Sequence, residues 1–83
     1  MQSITVDQEV IDFVKRNGRD YRVSTSCSGP VIVPITVKSP KDTDVKVRIG
    51  ENILYISRVQ ARYINRVTPD MLDESRLENC SIF

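Results

Sequence analysis

The chain of 83 residues has no histidine and no tryptophan, only three glycines and three leucines, and no apolar run near the roughly 20 residues that a bilayer core requires. Each shortage excludes something. Without histidine there is no Ser-His-Asp or Cys-His catalysis, no zinc-finger ligand set and no imidazole that titrates near neutral pH. The N-terminal residues lack the charged and apolar regions of a secretory signal, so a cytoplasmic location with no membrane partner is expected. Neither sign of charge is in excess: 12 basic against 11 acidic side chains leave a formal net charge of +1, too little to argue for nucleic acid. What is present, 40% hydrophobic and 28% charged residues, is ordinary for a folded domain, expected to span residues 1–83. A chain this short sits near the lower limit at which a hydrophobic core alone sustains a fold.

The charges are unevenly placed. Residues 1–68 carry 11 basic and 7 acidic side chains, whereas 69–83 set Arg76 against Asp70, Asp73, Glu74 and Glu78. This acidic segment is expected to form a short helix with Pro69 at its first position, followed by a tail.

Valine and isoleucine together number 20. β-branched side chains suit a pleated sheet, so a strand-rich α+β domain is expected: two antiparallel hairpins or small mixed sheets, an N-terminal helix and a second short helix. Thr5-Val6-Asp7-Gln8 reads as a capping box, Val6, Val10 and Val14 form an apolar stripe with Ile11, and Gly18 supplies the left-handed stop. Strands are expected from Tyr21 to Ser26, from Val31 to Val37 with alternate residues inward, and from Val45 to Ile49 with Val45, Val47 and Ile49 inward. The last strand, Ile53 to Ile56, follows a three-residue turn at Gly50-Glu51-Asn52. Pro34 places its strand at an edge or a bulge, because it cannot donate to a ladder. Ser57-Arg58-Val59-Gln60 reads as a second capping box, opening a helix whose stripe is Val59, Tyr63 and Val67.

Two groups of residues carry the candidate chemistry. Cys27-Ser28-Gly29-Pro30 joins two expected strands, a place where a thiol is displayed and glycine lets the backbone approach whatever the sulfur holds. Cys80 lies near the end of the sequence. On spacing alone the two cysteines read as small buried apolar side chains; a disulfide would add about 4 kcal/mol in the chain-entropy model, but the absence of a secretory signal points to a reducing compartment where such bonds seldom persist. There is no CxxC pair. The second group is Arg58, Arg62 and Arg66, a stripe at four-residue spacing that reads as a solvated face or as a surface for phosphates or carboxylates of a partner.

The order of elements around Cys27 resembles the A-type iron–sulfur cluster assembly (HesB-like) family. The likeness runs over residues 4–67: a leading amphipathic helix, a strand ending in Cys27-Ser28-Gly29, a hairpin around Asp44-Val45-Lys46-Val47 and Gly50, and a short helix with Gln60-Ala61-Arg62-Tyr63-Ile64. Only the Cys-Ser-Gly tripeptide is specific. The chain departs from the family pattern in having Cys80 alone where a Cys-Gly-Cys pair is usual, and in having Pro30 after the tripeptide. The resemblance implies a HesB-like fold and a carrier of iron or an iron–sulfur cluster, liganded by Cys27 and Cys80, that serves apo-proteins and cluster-assembly proteins. Four ligands are customary for such cargo and one chain offers two thiols, so a homodimer is expected. The alternative is a small structural or protein-interaction domain of the same fold without metal ligation, docking through the arginines or the acidic end. No acid–base or nucleophile assembly is visible, so an enzyme is not expected.

Overall fold

The computed structural model describes residues 4–26 and 29–72. Their order is β1 (Thr5–Val6), α1 (Gln8–Asn17), β2 (Tyr21–Ser26), β3 (Gly29–Pro34), β4 (Val45–Ile49), β5 (Asn52–Ile56), α2 (Arg58–Tyr63), β6 (Arg66–Val67) and a 3-10 helix, Pro69–Leu72. This is a small α+β domain with a mixed sheet. Two antiparallel hairpins, β2–β3 and β4–β5, are joined through a parallel pairing of β2 with β5, giving the order β3-β2-β5-β4. β1 and β6 form a separate two-stranded parallel pair. Among the described residues no helix is long and apolar enough to cross a membrane.

Register decides which side chains meet. Tyr21 stands opposite Leu54, Val23 opposite both Ile56 and Ile32, so these residues share one face of the sheet. α1 lies against β4 and β5 and adds Val10 and Val14, both fully buried, to that core. Helix and sheet are tied further by the Phe13 and Tyr21 rings, 5.2 Å apart between centroids. Met71 of the 3-10 helix and Val67 of β6 complete the cluster. Asp20 fastens the β4–β5 hairpin beside β2 by accepting bonds from the Ile53 amide (2.9 Å) and Asn52 Nδ2 (3.1 Å).

The other face of β2 is unusual. Arg22, Ser24 and Ser26 alternate with the core residues, as strand geometry requires, yet all three are buried. Burying a guanidinium demands a partner, and the segment between β3 and β4 supplies it in Asp44.

Several local expectations are corrected. Thr5 does not cap α1, because Thr5 and Val6 pair with Arg66 and Val67. Asp7 takes the cap position without a side-chain bond to the helix, its carboxylate being bound by Arg66. Gly18 does close α1 in the left-handed region, with φ at 62°.

β3 stops at Pro34 rather than Val37, because the Pro34 carbonyl accepts the amides of Val37 (2.9 Å) and Lys38 (3.3 Å) and so closes a turn. Val37 is exposed, whereas Val31, Ile32 and Val33 are buried on both faces. β3 is an edge strand, as Pro34 requires. In β4, Ile49 is buried but Val45, at the start of the opposite edge strand, is exposed. The hairpin turn is two residues long, Gly50-Glu51, since Asn52 already pairs with Ile49.

α2 ends at Tyr63, not Val67. Its apolar Val59 and Tyr63 are exposed, as are Arg58 and Arg62, and Gln60 and Ala61 are buried. The pairing of β6 with β1 removes residues 66 and 67 from any helix, and with them Arg66 from the arginine stripe.

Candidate functional site: a basic cleft at the strand ends

β2 runs past the last residue of β5 with which it pairs. Ile56 stands opposite Val23, and the Ser57 amide donates to the Val23 carbonyl at 2.9 Å, so Thr25 reaches beyond the carboxyl end of β5. β4 is antiparallel to β5 and therefore begins at this same end, which brings Thr43 and Asp44 alongside. In sheets with parallel pairs, the carboxyl ends of the strands are where a crevice opens. Here it is a cleft of about 410 Å³. β2 contributes Arg22 and Thr25, the segment before β4 contributes Lys41, Thr43 and Asp44, and α2 with its leading residue contributes Ser57, Arg58, Val59 and Arg62.

Among the described residues four cationic side chains and one carboxylate thus line the cleft, and that carboxylate is already engaged. Arg22 Nε donates to Asp44 Oδ2 at 2.7 Å and Nη2 to Oδ1 at 3.1 Å, a two-pronged pairing between side chains that are 2% and 1% exposed. Arg22 Nη1 donates to Ser24 Oγ at 2.8 Å, and the Lys41 amide donates to Asp44 Oδ2 at 3.0 Å. Burial pushes the Asp44 carboxyl upward, but the hydrogen bonds from Arg22 and the Lys41 amide and the charges of both residues outweigh it. Asp44 therefore titrates below the ordinary value of 3.8. A carboxylate so stabilised is a weak base and a fixed counter-charge.

The hydroxyls behave differently from what their sequence positions suggest. Ser57 precedes α2 but makes no side-chain cap. Gln60, the other half of the expected capping box, sends its Nε2 to Thr25 Oγ1 at 2.9 Å instead, tying α2 to β2. Arg58 and Arg62, four residues apart on the exposed side of α2, meet no carboxylate among the described residues. Arg66 lies apart on β6, paired with Asp7.

Of the residues singled out in the sequence, Arg58 and Arg62 line the cleft. Gly29 and Pro30 belong to β3 rather than to a loop. Gly29 pairs directly with Ser26, accepts the Ser26 hydroxyl at 2.8 Å, and has φ at 106°, a conformation that glycine alone adopts without strain. Cys27, Ser28 and Cys80 lie outside the described residues, as does the acidic segment beyond Leu72. Sequence reasoning missed Arg22, Thr25, Lys41, Asp44 and Ser57. An arginine inside a run of β formers is a faint signal that something buried awaits it, but nothing in the spacing points 22 residues ahead to Asp44. Set against known proteins, the chain matches no family model, no curated protein and no solved structure.

Proposed function

We propose that the protein is a non-enzymatic binding module that receives an anionic group of its partner in the cleft at the ends of β2 and β5. The observation that carries this reading is the charge balance of the cleft: among the described residues Arg22, Lys41, Arg58 and Arg62 line it with a single carboxylate, Asp44, whose two oxygens already accept hydrogen bonds. Concave walls concentrate that field, so an entering anion meets a local potential that the net charge of +1 conceals. A catalytic role has less behind it, because the fold holds the Asp44 carboxyl below its ordinary pKa and no other carboxylate among the described residues lines the cleft. The test is calorimetric titration with tripolyphosphate at low and high salt. Saturable one-to-one binding that weakens with salt, and falls at least tenfold in Arg58→Ala/Arg62→Ala, is the expected result. Absence of saturable binding, or binding indifferent to the double substitution, refutes the module.

A second reading keeps Cys27 and Cys80 as ligands for iron or an iron–sulfur cluster carried by a HesB-like homodimer. It is supported by the direct pairing of Ser26 with Gly29, which makes residues 27 and 28 the whole link between two paired strands. Anaerobic reconstitution with iron and sulfide should then give visible absorption that is lost in Cys27→Ser and in Cys80→Ser. A colourless protein after reconstitution removes this reading and leaves the cleft untouched.

A further inference from the structure

We infer that the anion received by the cleft is a phosphoryl group on a small, non-aromatic molecule, an inference that rests on the anion-binding reading above. Ser57 is the residue that points to it. It is 6% exposed, yet its hydroxyl bonds to no group among the described residues, neither an α2 amide nor a side chain. No fully enclosed side-chain oxygen or nitrogen among those residues lacks a partner. The Ser57 oxygen is therefore not sealed off, and its residue lines the cleft. A hydroxyl that no protein group among the described residues engages is free to bond a ligand oxygen there. Thr25 repeats the pattern. Its oxygen accepts from Gln60, so its own proton remains to be donated into the cleft.

The cleft is thus a set of donors. Three hydroxyl residues, Thr25, Thr43 and Ser57, line it with Arg58 and Arg62 of α2 and with Lys41 on the segment before β4. The acceptor oxygens of Asp44 are taken. A ligand that suits such a lining is all acceptor and multiply charged. Donors arriving from three separate elements fit the three oxygens of a phosphoryl group, spread in space, better than the two coplanar oxygens of a carboxylate. A volume of about 410 Å³ is in the range of small-molecule sites. No aromatic side chain among the described residues lines it, so a nucleobase would find no ring there to stack on, whereas a sugar phosphate needs none.

Calorimetric titration of the whole chain with ribose 5-phosphate, citrate and a phosphoserine peptide tests this. Ribose 5-phosphate should bind one-to-one and at least tenfold more tightly than citrate. Ser57→Ala should weaken it about tenfold and Arg58→Ala/Arg62→Ala about a hundredfold, in line with charge-assisted hydrogen bonds. Ser57→Ala should also unfold at the same denaturant midpoint as the parent, showing that the loss is one of contact and not of fold. If citrate binds as tightly and Ser57→Ala changes nothing, the phosphoryl assignment is overturned while the anion cleft stands. If the phosphoserine peptide binds more than tenfold more tightly than the sugar phosphate, the small-molecule assignment is overturned in favour of a phosphorylated protein. Failure of all three probes, with tripolyphosphate also inert, removes the anion cleft itself.

Discussion

Replacing Asp44 with alanine strips a buried arginine of its only carboxylate partner among the described residues. Arg22 and Asp44 side chains are 2% and 1% exposed and are joined by two bonds, so the substitution leaves a buried guanidinium without this counter-charge. Breaking one side of such a pair costs about 3–5 kcal/mol. At roughly 0.05–0.15 kcal/mol per residue, a chain of 83 residues has about 4–12 kcal/mol in all. Asp44→Ala should therefore lower Tm by at least about 12 °C. Removing both charges is expected to be milder than removing one, so Arg22→Met/Asp44→Ala should recover at least half of the loss.

The pH dependence has a definite sign. Because the Asp44 pKa is lower in the fold than its ordinary 3.8, the ionised form favours the folded state. Its contribution is complete well above pH 3.8 and fades as pH falls through the folded-state value. The stability gap between parent and Asp44→Ala, measured by urea denaturation, should accordingly be constant near neutrality and shrink in acid. A gap below about 1 kcal/mol at pH 7, or a double variant no more stable than Asp44→Ala, would refute this account of the pair.

Other substitutions probe the rest of the structure. Ser57→Ala should leave stability within about 0.5 kcal/mol of the parent in ligand-free buffer, whereas loss of a working helix cap costs about 1 kcal/mol; chemical denaturation separates the two. Leu54→Ala, at a fully buried position between Tyr21 and Val47, should cost about 2–5 kcal/mol by the same assay. Tyr63→Ser, at a residue 80% exposed, should change stability by less than about 0.5 kcal/mol, and a larger loss would restore Tyr63 to the core where its spacing placed it.

Local chemistry was legible without coordinates wherever one residue suffices to dictate a conformation. Gly18 ends α1 because an L side chain is strained at φ 62°. Pro34 sits on an edge strand because it lacks an amide proton. The alternation of Tyr21 to Ser26 yields a strand, and the abundance of β-branched residues yields a sheet. Periodicity misled at α2, where Val59, Tyr63 and Val67 fit a helical stripe. The parallel pairing of β6 with β1 outweighed the spacing, took Val67 into the core on its own, and left Val59 and Tyr63 outside. Likewise both capping boxes dissolved, because Thr5 pairs with Arg66 across β1 and β6 while Gln8 bonds Asp12, and because Gln60 reaches Thr25 far along the chain.

The amino-acid order by itself determined the class of fold, the strand-forming segments, the absence of histidine chemistry, and the supply of cations on α2. Tertiary structure alone decided that Arg22 meets Asp44, that Ser57 opens into a cleft instead of capping a helix, and that Arg58 and Arg62 stand beside Lys41 while Arg66 does not. The physical reason is range. Backbone preference and hydrophobic period act over a few residues, whereas the cleft is made where β2, the segment before β4 and α2 converge, and only the register of β2 on β5 sets which side chains arrive there.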